Sequence, residues 1–186
     1  KLDNDKFTKV IILEGSGNGF SAGHNLKEVR GISKKTKHQK LFNLCSKLMM
    51  QIVEGKKPVI AKVHGAAFAA GCQLVASCDL AYSDTKAIFA TPGVNIGLFC
   101  STPMVAVSRK VNRKKTMEML LTGDPVNAKT AKEIGLINNF FSSKKLSTEV
   151  LKVARKISSK SNSTIKIGKK AFYKQLEMPI SKAYKL

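Results

Sequence analysis

Apolar residues are concentrated in one stretch, Pro58 to Asp79, which carries only two charges in a lysine-rich chain. Within it, Val59 to Val63 is short, apolar and rich in β-branched residues, which predicts a buried strand. Residues 64–71 are almost all small, which predicts a turn. From Ala70 to Cys78 the pattern is helical and apolar on every side, which predicts a buried helix. The stretch therefore predicts a strand, a turn and a helix at the centre of the fold.

The turn of small residues has two interpretations. Small side chains leave the backbone open, and a helix N-terminus presents unpaired N–H groups, so the turn could hold an anion or an oxygen that becomes one during a reaction. Small residues also let a helix pack closely on a strand, with no ligand involved. The pattern alone leaves both open.

The rest of the chain predicts strands and helices intermixed, followed by a mostly helical part. Val10 to Leu13 predicts a strand, Phe20 to Glu28 a second strand followed by a turn, and the lysine-rich Ser33 to Lys40 a mobile loop. Further strands are predicted at Leu80–Ser83, Ala87–Ala90 and Leu136–Phe141, and helices at Leu41–Val53 (apolar face Leu41, Cys45, Leu48, Ile52), from Ser101, and at Arg113–Leu121, Asn127–Ile134, Leu146–Ser159 and Ser163–Leu176. This order predicts an α/β fold.

Composition and charge narrow the classes of fold and function that the chain could have. With 186 residues, 43% of them hydrophobic, the chain suits one domain with a sizeable core. The net charge of +21 fits nucleic acid, anionic lipid or a phosphorylated ligand, but the scattered lysines fit a biased surface composition at least as well. Four cysteines without metal-ligand spacing predict buried reduced thiols in an intracellular protein. No apolar run is long enough to span a membrane. The first residue is Lys rather than Met, so we expect any targeting segment to lie outside this chain.

Three motifs carry a resemblance to a known family: FSAGHNLKE, PVIAKVHGAAFAAGCQLVASCDLA and FATPGVNIGL. In this order and at these separations they resemble the crotonase family of enoyl-CoA hydratases and isomerases, and the resemblance extends through LLTGDPVNAKTAKEIGLIN. GCQLVASCDLA, FATPGVNIGLFCSTP and AFYKQL are closer still to a mitochondrial branch of hydratase domain-containing proteins.

The resemblance implies a fold. We expect an α/β crotonase-like spiral of strand–strand–helix units with a helical C-terminal trimerisation region. Residues 1–186 would form one domain, with 1–110 as the spiral core and 111–186 mostly helical, shorter than the family at both ends. It also implies a homotrimer or hexamer in mitochondria.

The resemblance also implies a site for an acyl-coenzyme A thioester, as substrate or ligand, without a metal or another cofactor. By motif position, the backbone N–H groups of His24 and Ala70 would form an oxyanion hole for the thioester oxygen. Ser21, Ala22 and Leu26 would contact the ligand, and Lys27 and Lys62 are the nearest lysines for its phosphates. His24 is also the best titratable candidate, unless its ring points elsewhere.

The chain departs from the hydratase pattern at two positions. Family hydratases use two glutamates to activate water and deliver a proton, and Gln73 and Gly93 stand at those positions here. Asp79 and Asp84 are the only carboxylates between Pro58 and Ser108. We therefore expect an acyl-CoA-binding protein that has lost hydration. The alternatives are an active hydratase or isomerase of fatty-acid metabolism, and an RNA-binding homologue that uses its basic surface.

Overall fold

The centre of the fold forms as the sequence predicts. In the computed structural model, which describes residues 1–186, strand β2 covers Val59–Val63 and helix α3 covers Ala70–Ser77. Every residue of β2 except Lys62 is buried, and so are six of the eight residues of α3. Between them lies a strand that the sequence did not predict, β3 (Ala66–Phe68), because its small residues carry no strand preference.

Two sheets organise the remaining strands. The larger one is parallel, in the order β1 (Ile11–Glu14), β2, β4 (Leu80–Asp84) and β7 (Asn139–Phe141). In the smaller one, β3 pairs in parallel with β5 (Ile88–Ala90), and β5 pairs antiparallel with β6 (Val126–Asn127). Strand β2 belongs to the larger sheet and β3 to the smaller one. The chain therefore crosses from one sheet to the other just before the turn that begins α3.

Helices surround both sheets and fill the C-terminal part. They are α1 (Leu26–Gly31), α2 (Lys35–Glu54), α3, α4 (Ser101–Val107), α5 (Arg113–Thr122), α6 (Ala128–Glu133), α7 (Ser143–Ser158), α8 (Asn162–Leu176) and α9 (Ile180–Ala183). Short 3₁₀ helices occur at Leu2–Asn4 and Pro92–Ile96. Local signals set several ends: Asn127 caps α6 by accepting from the Thr130 N–H, and Gly123 ends α5 with φ of 70°.

Three local predictions were wrong. Most of Ser33–Lys40 lies in the first turns of α2, since lysine is a good helix former wherever packing supports a helix. Phe20–Glu28 holds a single bridge, from Ser21 to Ala67, and then enters α1. Leu48 is 47% exposed, and Met49 takes the buried place beside Ile52.

The main core lies between the large sheet, α3 and α4 through α6. Its fully buried members include Val63, Phe89 and Val107. A smaller cluster covers the other face of β2, where Ile60 packs against Leu146, Val150 and Ala154 of α7. The structure therefore holds β2 and the start of α3 on both sides. No helix is both long and apolar enough to cross a membrane.

Candidate functional site

The backbone turn before α3 is strained. Ala69 has φ of 49° and ψ of −115°, and it is the one non-glycine residue with positive φ. Its own N–H donates to the Ala90 carbonyl oxygen of β5 at 2.9 Å, which ties the turn to the small sheet. The next N–H, that of Ala70, opens α3 and has no acceptor in the protein.

A second unpaired N–H belongs to His24. It follows Gly23, which has φ of +93° and whose own N–H donates to Ser21 Oγ at 3.2 Å. The N–H of His24 has no acceptor in the protein. A glycine at position 23 is required by this backbone conformation, since a side chain there would be strained.

The turn at Gly23 packs closely against the turn before α3. A Cβ built on Gly23 would lie 3.2 Å from the Ala70 nitrogen and 3.2 Å from the Ala69 Cβ. A Cβ on Gly71 would collide with the Ser21 carbonyl oxygen. The close packing that the second interpretation predicts is therefore confirmed, and it places the Ala70 nitrogen beside Gly23, the residue that precedes the His24 N–H. Unpaired N–H donors can hold an oxygen on which negative charge develops.

Side chains from α2 form a wall beside these donors. The His24 ring packs edge-on against Phe42, with centroids 5.6 Å apart, and no hydrogen bond reaches its nitrogens. Three residues further along α2, Cys45 Sγ lies 4.0 Å from Gln73 Oε1. The His24 ring therefore packs against Phe42 and makes no hydrogen bond within the protein.

Gln73 faces this wall and is 4% exposed. Its side-chain nitrogen donates to no protein group. The nitrogen is not completely enclosed by the protein, so it remains accessible. The amide therefore offers an N–H donor to whatever occupies the neighbouring space. An amide can hold a ligand or a water in place, but it cannot take a proton from either.

Gly93 is buried in the 3₁₀ helix Pro92–Ile96, in a tight turn. The Leu98 N–H donates to the Gly93 carbonyl oxygen at 2.9 Å. A Cβ at Gly93 would lie 2.6 Å from the Leu98 carbonyl oxygen and 2.9 Å from Cys100 Sγ. The turn as it stands therefore leaves no space for a side chain.

The two carboxylates between Pro58 and Ser108 both have hydrogen-bond partners within the protein. Asp79 accepts from the Val59 N–H, Lys169 and Tyr173, at the amino end of β2. Asp84 is buried and accepts from Ser143 and the Lys86 N–H. Both carboxylates already have structural partners, away from the two free N–H groups.

The thiols lack the properties of nucleophiles. Burial raises the pKa of Cys72 and of Cys78 to about 12, and it also raises the pKa of Cys45 and Cys100. All four are free, and three are buried, as predicted, while Cys45 is partly exposed. No group of three His, Cys, Asp or Glu residues could hold a metal ion.

The predicted ligand-contacting residues fall into two groups. Ser21, Ala22, Leu26 and Lys27 flank the His24 donor, where Ser21 bridges to Ala67 and the others are exposed. Lys62 lies apart from them: its Nζ pairs with Glu14 and donates to Ser147 Oγ on α7 at 3.1 Å. The sequence missed Phe42 and Ala69; an alanine gives no signal of positive φ, and Phe42 becomes a neighbour of His24 only through α2 packing.

Comparison with known sequences places the chain. A profile of the enoyl-CoA hydratase/isomerase family matches residues 1–186. The mitochondrial enoyl-CoA hydratase domain-containing protein 3 of Rattus norvegicus is 49% identical over 176 residues, 95% of this chain and 59% of that protein. The mitochondrial enoyl-CoA hydratase of Pongo abelii is 33% identical over 186 residues, 100% of this chain and 63% of that protein. The chain thus spans about three fifths of the length of these relatives.

Solved structures agree with the sequence relatives. An enoyl-CoA hydratase of Mycobacterium smegmatis superposes with a TM-score of 0.96 at 46% identity, covering 98% of this chain and 71% of that one. Human enoyl Coenzyme A hydratase domain-containing protein 3 superposes with a TM-score of 0.95 at 48% identity, covering 98% and 72%. The predicted α/β crotonase-like fold is confirmed, and the chain belongs to the enoyl-CoA hydratase/isomerase family.

Proposed function

We propose that this protein binds acyl-CoA thioesters in an oxyanion hole and does not hydrate them. The observation that carries the proposal is that the N–H groups of His24 and Ala70 are both unpaired, while Gly23, which precedes His24, packs against the Ala70 nitrogen. The names of the relatives, several of which are enoyl-CoA hydratases, support an acyl-CoA as the ligand class.

The two donors suit a thioester carbonyl because its oxygen gains charge when the carbonyl is polarised. Donors fixed by the backbone stabilise that charge without reorganising, and one such donor is typically worth about 3 kcal/mol in a barrier. In this chain they are held by Gly23 and by the strained turn at Ala69. A thioester bound there would be polarised whatever side chains surround it.

Hydration needs proton transfer as well as polarisation. Water must lose a proton to a base while an acid delivers one to the α-carbon. Gln73 supplies an amide and Gly93 supplies no side chain, while Asp79 and Asp84 are engaged elsewhere. The site would therefore polarise an acyl thioester and hold it.

The coenzyme A portion would leave the hole past the exposed residues that flank His24. Leu26 is 45% exposed and could cover an apolar part of the ligand. Lys27 is exposed and in no ion pair, so its ammonium is free for a phosphate. We also propose a mitochondrial location, in line with the names of the relatives, and a homotrimer or hexamer, in line with the family resemblance alone.

The main experiment measures binding and turnover with the full-length protein. Calorimetry should show that butyryl-CoA binds more tightly than free coenzyme A, because only the thioester carbonyl can use the two donors. With crotonyl-CoA, the absorbance of the conjugated thioester should stay constant. Turnover at an ordinary enzymatic rate would instead support the active hydratase alternative, and equal affinity for free coenzyme A would remove the role of the hole.

Restoring the glutamates tests the missing chemistry directly. Gln73→Glu replaces the side-chain amide nitrogen with an oxygen, so the variant should fold. Burial should raise the pKa of the new carboxyl. Gly93→Glu should destabilise the protein, because its Cβ would meet the Leu98 carbonyl oxygen at 2.6 Å. We expect crotonyl-CoA hydration only in a double variant whose 93–100 turn has been rebuilt. Hydration by the Gln73→Glu variant alone would show that one carboxylate suffices.

A further inference from the structure

A basic recess lies at the end of β2 opposite the oxyanion hole. Its volume is about 230 Å³, and it is lined by the N-terminal segment, by the residues that precede β2 and by the start of α8. Five of its twelve lining residues are lysines: Lys6, Lys9, Lys56, Lys57 and Lys166. Because β2 separates the two places, this recess is not part of the acyl-CoA site proposed above.

None of the five lysines forms a close ion pair within the protein. All five lysines are absent from the ion pairs of the structure. Lys9 Nζ donates to the Ser158 carbonyl oxygen at 3.1 Å and Lys56 Nζ donates to Asn4 Oδ1 at 2.9 Å, and both acceptors are uncharged. The remaining three, on Lys6, Lys57 and Lys166, donate to no protein group.

The two carboxylates of the recess accept hydrogen bonds from backbone N–H groups and from one hydroxyl, rather than from the lysine side chains. Asp3 Oδ1 accepts from the N–H groups of Lys56 and Lys57, at 2.6 and 3.0 Å. Asp5 Oδ2 accepts from the N–H and the hydroxyl of Thr8, at 2.7 and 2.6 Å. They fix the walls of the recess, and five lysines against two aspartates leave it with a formal charge of +3.

We propose that the basic recess binds a compact phosphate-bearing anion of the pyrophosphate class. Ammonium groups that line one concavity without ion-pair partners are stabilised by an anion, and phosphate oxygens are strong acceptors for them. The recess is a single concavity of limited volume, which fits one or two phosphate groups. An extended nucleic-acid strand needs a basic groove that follows its backbone, together with aromatic stacking platforms, and no aromatic residue lines this recess.

The experiment uses inorganic pyrophosphate as the probe, with the full-length protein and calorimetry. The test variant is Lys6→Gln, Lys57→Gln and Lys166→Gln together. The matched control is Lys114→Gln, Lys129→Gln and Lys144→Gln, three exposed lysines outside the recess that are in no ion pair. We expect the test variant to weaken binding by about tenfold or more, and the control, with the same change in net charge, by less than about twofold. Thermal unfolding of each variant checks that the fold is kept.

A nucleoside diphosphate tests whether the phosphate groups belong to a nucleotide. A nucleoside diphosphate that binds as well as pyrophosphate would indicate a nucleotide, and one that binds more weakly would indicate the free anion. Equal losses in the test and control variants would overturn the proposal, because they would mean diffuse attraction to the charged surface. So would binding of single-stranded RNA without binding of pyrophosphate, or no binding of pyrophosphate at low salt.

Discussion

The polar groups near the two ends of strand β2 differ in whether they have hydrogen-bond partners. Beyond the carboxyl end, two backbone N–H groups at His24 and Ala70 have no acceptor. At the amino end, Asp79 accepts from the Val59 N–H at 2.7 Å, from Lys169 Nζ at 2.6 Å and from Tyr173 OH at 2.9 Å. Lys169 also donates to the carbonyl oxygens of Ile52 and Lys57.

The bonded groups at the amino end contribute to stability, whereas the unpaired groups beyond the carboxyl end are available for binding. The Lys169–Asp79 pair is nearly buried, with side chains 7% and 16% exposed, so it had to be fully hydrogen-bonded to be tolerated. It fastens α8, none of whose residues is buried, to the core. The open donors at the other end give no such fastening, and they remain available to a ligand.

The largest effect should follow Lys169→Met, at the fastened end. Removing the ammonium leaves the Asp79 carboxylate buried without its charge partner, which typically costs about 3–5 kcal/mol in the free energy of unfolding. Urea denaturation measures the loss. Lys170→Met, an exposed neighbour on the same helix, serves as the control and should change little. Similar losses in both variants would mean that the buried pair does not hold α8.

The next effect should follow Gly23→Ala, at the open end. The new Cβ would lie 3.2 Å from the Ala70 nitrogen at a φ of +93°, so we expect about 1–2 kcal/mol of strain and a clear loss of butyryl-CoA affinity. Gly17→Ala has a similar φ of +80° with nothing within 4 Å, and it isolates the strain. Calorimetry should find normal affinity in the control; an equal loss there would contradict the role of Gly23.

A pH-dependent effect is expected at Tyr173. Burial, and then the neighbouring Asp79 carboxylate, raise the pKa of its hydroxyl. The unfolded chain therefore loses this proton first, so the contribution of Tyr173 to stability is complete below about pH 10 and falls as pH rises above that value. Tyr173→Phe should cost about 1 kcal/mol at neutral pH and should make the loss of stability above pH 10 less steep. Parallel curves for the two proteins would exclude this linkage.

The smallest effect should follow Ala69→Gly. Glycine adopts φ of 49° without strain, and this gain is partly offset by the greater entropy of the unfolded chain. We expect a rise in stability of less than about 1 kcal/mol, measured by thermal unfolding. A fall in stability would show that the strain at Ala69 is smaller than the entropy cost of the added glycine.

Local signals in the sequence predicted the parts of the fold that depend on neighbours along the chain. The strand predicted at Val59–Val63 and the helices predicted at Arg113–Leu121 and Asn127–Ile134 all form, since hydrophobic pattern and capping chemistry act over a few residues. The first turns of α2 and strand β3 were missed, because distant packing decides them.

At the site, the motifs predicted which backbone groups to examine, and the structure supplied the environment. His24 and Ala70 come from the sequence, as do Gln73 and Gly93. The positive φ of Ala69, the contact of Phe42 with His24 and the Cys45–Gln73 pair arise from tertiary packing. No periodicity or motif encodes those three features.

The tight turn at Gly93 also constrains how this protein can change. Any residue with a side chain at 93 must displace the Leu98 carbonyl and the Cys100 sulfur, so it requires companion substitutions in the same turn. Substitutions that share contacts in this way are not additive, and their order decides whether the intermediates fold. A laboratory lineage selected for water addition should therefore acquire changes that shift the backbone of residues 93–100 and reduce the side chain at 100 before it accepts an acid at 93.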